Sequence, residues 1–280
     1  MSRLMAFSQR LAAEPPFRIF CKAMIKRLPV SIRVKAQWDV ASRPHYLLGV
    51  LAAADEAIQE GVEAISIFEF GVAGGNGLLM LQEIAAAVQA ETGVRIAVYG
   101  FDTGSGLPDL TGDYRDYSDH WQTGDYPMNE GALRRKLTPS TSLVIGNIRD
   151  TLPSYLPHIQ EHIGFVAVDV DVYSSTCDVL RMFSNGARRM LRRVYMYFDD
   201  VDLMFTHRFA GELLAMDEFN HASSSVKIDK WKGIKKHRPF PEAGWLDRMF
   251  IAHDLEAISR FRTERKAKII KVEETTGNTG

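Results

Sequence analysis

The sequence predicts an α/β fold, a doubly wound open sheet of mostly parallel strands with helices on both faces. Three observations predict it. Four short apolar runs, Ile65–Phe68, Ile96–Phe101, Phe165–Val168 and Val194–Phe198, have the length and composition of strands buried on both sides. The first leads through a glycine-rich turn into Leu78, Leu79, Leu81, Ile84 and Val88, which recur at helical spacing. Each run is also followed by acids, and ligands of open α/β sheets bind outside the carboxyl ends of the strands. A chain of 280 residues with 46% apolar content is long enough to bury one such core.

Before the first strand lie two helical patterns. Phe17, Phe20, Cys21, Met24, Ile25 and Leu28 form an apolar stripe, while Arg18, Lys22, Lys26 and Arg27 take other faces. Such a basic amphipathic helix either lies on an anionic membrane surface or packs on the domain or on a second subunit. Packing is the ordinary meaning of an apolar stripe, so a homo-oligomer is expected and membrane association is not. Deleting residues 1–30 should then change the oligomeric state or solubility; sedimentation of the intact protein with anionic liposomes, lost on deletion, would favour the membrane instead. The second helix spans about 43 to 60, with Ser42 as N-cap, Pro44 in its first turn and Gly61 past its end. Arg43, His45 and Tyr46 at its start either face the cofactor pocket or form a surface cap.

The turn Glu69-Phe70-Gly71-Val72-Ala73-Gly74-Gly75-Asn76-Gly77 reads as a nucleotide-cofactor loop. Its glycines allow a sharp turn and close approach, and the helix that follows offers unpaired amides. The acid of Asp102, with Thr103 behind it at the tip of the second strand, suits ribose hydroxyls. Both features fit NAD as well as S-adenosylmethionine. The dinucleotide fingerprint is G-x-G-x-x-G, whereas this chain has Glu69-x-Gly71-x-x-Gly74-Gly75-x-Gly77, a pattern that resembles class I methyltransferases. An acid at Glu69 also matches the sulfonium and ammonium of S-adenosylmethionine.

Asp169 and Asp171 follow the third run, and Asp199 and Asp200 the fourth. Four carboxylates converging on one sheet edge repel unless some are protonated or a cation lies between them, and oxygen ligands suit Mg²⁺, Mn²⁺ or Ca²⁺. The plainer reading of Asp199 and Asp200 is a helix cap or turn.

Taken in order, Glu69-Phe70-Gly71-x-x-x-Gly75, Phe101-Asp102-x-x-x-Gly106-Leu107-Pro108, Asp150-Thr151-Leu152-Pro153, Asp169-x-Asp171-x-Tyr173-x-Ser175-Thr176 and Asp199-Asp200 resemble the macrocin O-methyltransferase family, over roughly residues 65 to 205. The resemblance implies a Rossmann-like sheet of seven strands with an antiparallel last pair. It also implies S-adenosyl-L-methionine as cofactor, held by Glu69, Gly71, Gly75, Asn76, Asp102, Thr103, Asn147, Ile148 and Asp169. By the same likeness Asp169, Asp199 and Asp200 would hold a Mg²⁺ that binds two neighbouring hydroxyls of a sugar acceptor, and Asp171 would be the general base. The family often has glycine between the two acids of Asp-x-Asp; here it is Val170, whose branched side chain restricts the backbone.

From Leu107 to Pro139 no period holds, and a connection this long with Tyr114, Tyr117, Trp121 and Tyr126 reads as a lid, with His120 either a surface bystander, the ordinary fate of a lone loop histidine, or an alternative base. A helix over 209–221 and short strands ending near Ile228 and Ala252 follow. Between the strands runs Lys230-Trp231-Lys232-Gly233-Ile234-Lys235-Lys236-His237-Arg238, which either grips a phosphate of the acceptor, such as a nucleotide-linked sugar, or is a solvated loop.

The chain divides into a helical extension over 1–41, a methyltransferase domain over 42–260 and a polar tail over 261–280. A net charge of -1 gives no field that would draw nucleic acid, and two cysteines make no disulfide framework. The absence of a leader or a membrane-length apolar run leads to an expectation of a cytoplasmic protein. The overall expectation is a metal-assisted O-methyltransferase acting on a small hydroxylated acceptor. A catechol-type enzyme and a non-catalytic cofactor-binding protein are the rivals.

Overall fold

The computed structural model describes residues 17–184, 189–236 and 238–261. Residues 1–16 of the extension, His237 and all but the first residue of the tail lie outside them. In chain order the principal elements are α1 (Phe17–Arg27), α2 (Ile32–Gln37), α3 (Pro44–Glu60), β1 (Ala64–Phe70), α4 (Asn76–Thr92) and β2 (Arg95–Asp102). Next come α5 (Glu130–Arg134), β3 (Thr141–Ile145), α6 (Ile148–Tyr155), β4 (His162–Val168), α7 (Tyr173–Leu180) and β5 (Met190–Phe198). The last are α8 (Gly211–Ala222), β6 (Val226–Lys230), β7 (Met249–Asp254) and α9 (Leu255–Arg260).

The strands form one seven-stranded sheet in the order β3-β2-β1-β4-β5-β7-β6. The first five pair in parallel, and β7 runs antiparallel to both β5 and β6. The strand order reverses on either side of β1, so the crevice at its carboxyl end, next to β4, is the place where such a sheet takes a ligand.

The alternating side chains of the strands sort the core into two layers. Ile65 and Ile67 of β1, Phe165 of β4 and Tyr195 and Tyr197 of β5 join Leu47, Val50, Leu78 and Leu81 of α3 and α4 on one face. Phe68, Phe70, Val166, Val168, Met196 and Phe198 join α6, α7 and α8 on the other. The continuous apolar runs are needed because both faces are covered.

Two local expectations are corrected. Ser42 does not cap α3; the N-cap is Arg43, without a side-chain cap bond, at φ -118° and ψ 80°. Pro44 in the first helical position drives the residue before it out of the helical region, so the cap falls one residue later than Ser42. Gly61 ends the helix in the left-handed conformation as expected. The helix expected from 209 begins at Gly211.

The apolar stripe of α1 does not pack on the domain: Phe17, Phe20, Met24 and Leu28 are exposed, and no residue of the helix is buried. Its basic side holds it instead. Arg18 pairs with Glu242 at 2.7 Å and donates to the Pro239 carbonyl, and Arg18 and Lys22 lie over the Phe240 ring. The basic connection after β6 is also largely occupied. Lys232 pairs with Asp229, Lys235 with Asp247 and the buried Arg238 with Asp39, so among the described residues no basic cluster from this stretch lines the central cavity. Among the described residues, no helix is long and apolar enough to cross a membrane.

Candidate functional site

Side chains two apart share a face, so Glu69 follows Ile65 and Ile67 toward α3. The parallel register then brings the acids together. Asp169 N–H donates to the Phe70 carbonyl at 2.9 Å, Asp199 N–H to the Val168 carbonyl at 3.0 Å and Gly71 N–H to the Phe101 carbonyl at 3.0 Å. Four strand ends, those of β2, β1, β4 and β5, are thereby stitched edge to edge, which sets Gly71, Asp169 and Asp199 side by side.

The loop after β1 is held by Asp102. Its Oδ2 accepts from the amides of Val72 and Ala73, each at 2.8 Å, and its Oδ1 accepts from Gly104 N–H at 2.6 Å. A carboxylate has about four acceptor positions, so about one remains for a ribose hydroxyl. Two glycines are required by close approach. Gly71 sits at φ +83°, and a Cβ there would lie 1.6 Å from the Asp169 carbonyl oxygen. A Cβ on Gly77 would lie 1.8 Å from Glu69 Oε1, so Gly77 lets the buried carboxylate reach the start of α4. The sequence displays Gly77 but not that contact. Gly75, at the N-cap of α4, faces Leu133 and does not line the cavity.

A cavity of about 480 Å³ opens on this edge. Of the candidate site residues, Glu69, Gly71, Asn76, Asp102, Thr103, Asn147, Ile148, Asp169, Asp171, Asp199 and Asp200 all line it. The aromatics Trp121 and Tyr126 form part of its wall, from the long connection read as a lid. That connection is pinned by Asp116, which accepts from the amides of Thr111 at 2.7 Å and Ser174 at 2.8 Å, and by Tyr117 against Val172 and Ala210. His120 is not brought to the cavity. It is exposed and lies tilted against Phe205, with ring centroids 3.8 Å apart. The turn that buries Trp121 points its neighbour outward.

Glu69 is buried and accepts the Tyr46 hydroxyl at 2.6 Å, while its Oε2 is buried with no partner among the described residues. Burial pushes its carboxyl up to about 7, against the opposing pull of Tyr46 and Arg43. His45 does not line the cavity. It stacks on Tyr197 at 4.1 Å and is held neutral, since burial and the charges of Arg43 and Arg248 press the imidazole down to about 3.

Asp169, Asp199 and Asp200 each offer a carboxylate oxygen, and these atoms lie within 4.8 Å of one another. Asp199 accepts from Tyr197 and from Arg248, the latter at 3.0 Å. Asp200 is positioned through its amide, which donates to Glu212 Oε2 at 3.0 Å, and its own Oδ2 is buried without a partner among the described residues. Burial and mutual repulsion raise the carboxyls of Asp169 and Glu212 well above the carboxylate range and push Asp200 up to about 8. Crowded hard oxygens, an orphaned buried oxygen and carboxyls raised in part by their like-charged neighbours fit a divalent cation. Glu212, nearly fully buried, was not singled out by the sequence; a lone acid on an otherwise apolar helix face was the available signal.

Asp171 is the centre of a tight turn in which Val172 N–H donates to the Val170 carbonyl at 2.6 Å. Its φ is +63°, a strained conformation for a non-glycine residue. The strain therefore falls on Asp171 and not on the branched Val170, which is buried. Burial, then the charges of Asp169 and Asp199, push the Asp171 carboxyl up to about 7.

No family profile and no curated sequence matches the chain. Among solved structures, CalS11, a calicheamicin methyltransferase, aligns with 79% of this chain and 90% of its own at 20% identity, with a TM-score of 0.50. An apo structure of CalS11, given as a TDP-rhamnose 3'-O-methyltransferase, aligns over 67% and 74% at 23% identity and a TM-score of 0.43. TomG, an O-methyltransferase from Streptomyces achromogenes involved in tomaymycin synthesis, aligns over 84% and 95% at 13% identity and a TM-score of 0.40. At 20% identity and a TM-score of 0.50, the likeness to CalS11 establishes a shared fold and no more, a Rossmann-like open sheet.

Proposed function

We propose that the protein is an S-adenosylmethionine-dependent O-methyltransferase, assisted by Mg²⁺, Mn²⁺ or Ca²⁺, that methylates a hydroxyl of a small polyhydroxylated acceptor. A sugar or glycoside, free or carried on a phosphate or nucleotide, is the favoured acceptor, in line with the resemblance to macrocin O-methyltransferases and with a fold shared with a methyltransferase. One observation carries the reading: a single cavity joins the glycine loop to three carboxylates whose oxygens lie within 4.8 Å of one another. NAD chemistry would use the loop and leave those carboxylates without a task.

When bound, the cation would supply the Lewis acidity that lowers the pKa of an acceptor hydroxyl, and S-adenosylmethionine the electrophilic methyl group. Asp169, Asp199 and Asp200 would hold the cation. Asp171, on its strained turn at the cavity wall, would take the hydroxyl proton on a carboxylate oxygen. Asp102 would keep the loop in shape and offer its remaining acceptor position to the ribose. Trp121 and Tyr126 would exclude water from the acceptor, so positioning and electrostatics supply most of the rate gain.

Methyl transfer from labelled cofactor to a panel of sugars and nucleotide-linked sugars, with and without EDTA, tests the reading. Turnover should vanish in EDTA and return with Mg²⁺. Full transfer in excess EDTA would leave a metal-free mechanism, and tight NAD⁺ binding with none of S-adenosylmethionine would end the methyltransferase reading. The aromatic wall also suits a planar catechol, which would need the same acids; transfer to catechols but to none of the sugars would select it.

A pH dependence follows from Glu69. Its carboxyl sits near 7, and a cationic cofactor favours the ionised form, so affinity for S-adenosylmethionine should rise as pH is raised through about 7 and then level off. In Glu69→Gln that component should disappear. Superimposable pH profiles of Kd for the two proteins would remove Glu69 from the cofactor site.

A further inference from the structure

We infer that Arg43 binds the carboxylate of the amino-acid end of the cofactor, an inference that rests on the function proposed above. S-adenosylmethionine carries, besides its sulfonium, an α-ammonium and an α-carboxylate on one carbon. The ammonium and sulfonium suit an acidic cavity; the carboxylate is repelled by it. Among the described residues lining the cavity, Arg43 is the only cation, and every other charged side chain there is an acid.

Its surroundings single it out further. The guanidinium is partly buried and lies over the Tyr46 ring, 5.0 Å from the centroid. It makes one hydrogen bond, from a terminal nitrogen to the Tyr46 hydroxyl at 3.2 Å, and no carboxylate oxygen of the described residues lies within 4.0 Å. A guanidinium has five N–H donors arranged for bidentate binding of a carboxylate, so most of the donor capacity of this cavity-lining side chain has no partner among the described residues. Tyr46 in turn donates to Glu69, giving a chain Arg43–Tyr46–Glu69 in which a positive and a negative group stand beside one another. That pairing is complementary to an α-amino acid zwitterion. It is also rigid: Tyr46 is fully buried, and Pro44 fixes the backbone of Arg43 at the start of α3.

The test compares two ligands by titration calorimetry without metal. S-adenosylhomocysteine has the amino-acid end, and 5′-methylthioadenosine keeps the adenosine and sulfur but lacks it. Arg43→Ala should weaken S-adenosylhomocysteine by about tenfold to a hundredfold, the range for a lost charge-assisted contact, and leave 5′-methylthioadenosine within about twofold. Arg43→Lys should fall between, since a point charge replaces a bidentate fork. Equal losses for both ligands would overturn the assignment, because Arg43 would then act only by supporting Tyr46 and Glu69. So would unchanged S-adenosylhomocysteine affinity with a raised KM for the acceptor, which would place an acceptor anion on Arg43. If the wild-type protein binds neither ligand, the proposed function fails together with the subsite; if it binds both and Arg43→Ala changes neither, the subsite alone fails.

Discussion

Asp199→Asn should abolish methyl transfer, by more than about a thousandfold or about 4 kcal/mol of barrier, while cofactor affinity stays nearly unchanged. The substitution keeps the shape of the side chain and removes one negative charge from a cluster whose oxygens lie within 4.8 Å of each other. Folding should survive it. Asp199 is partly exposed, and Arg248, which it contacts at 3.0 Å, retains Asp202 at 2.5 Å as a second partner. Turnover measured across a Mg²⁺ titration, with S-adenosylhomocysteine affinity measured in parallel, separates the two effects. Near-wild-type turnover would exclude the three-carboxylate cation site, and a matching collapse of cofactor affinity would mean that Asp199 serves the cofactor and not the acceptor.

Gly71→Ala should destabilise the domain by about 3 kcal/mol or more and eliminate cofactor binding with it. Two costs combine: a positive φ that disfavours any Cβ, and overpacking against a backbone that has nowhere to move. The added carbon would stand 1.6 Å from the Asp169 carbonyl oxygen, and relief would require parting β1 from β4, where Asp169 N–H is bonded to Phe70. Gly74→Ala in the same loop is the control. A Cβ there meets nothing within 4 Å, so its urea midpoint should stay close to wild type. Similar midpoints for the two variants would mean that the loop is pliable and that Gly71 is not held by the neighbouring strand.

Much of the site was legible in the chain because its logic is local. An apolar run of four to six residues followed by an acid puts that acid at a strand end whatever the rest of the fold does, and Glu69, Asp102, Asp169 and Asp199 are all placed this way. The final strand pair was also foreseen, by resemblance, and β6 and β7 occupy the expected segments. His120 shows where such reading stops. Nothing within the 107–139 connection says which of its polar residues turns inward, since that depends on Asp116 anchoring to Ser174 and on Tyr117 anchoring to His207, 58 and 90 residues further on.

The sequence by itself determined the fold class, the acids at the sheet edge and the residue types of a cofactor loop, because strand and helix periodicities and glycine chemistry act over a few residues. Only the tertiary structure decided which groups meet. The register of β1, β4 and β5 gathers Asp169, Asp199 and Asp200, and the approach of α8 sets Glu212 beneath the Asp200 amide. The packing of α3 against the sheet carries Tyr46 and Arg43 to Glu69. Each of these contacts joins residues far apart in sequence, so it is fixed by the side on which a helix crosses the sheet and by the core it buries there, and no short-range pattern encodes it.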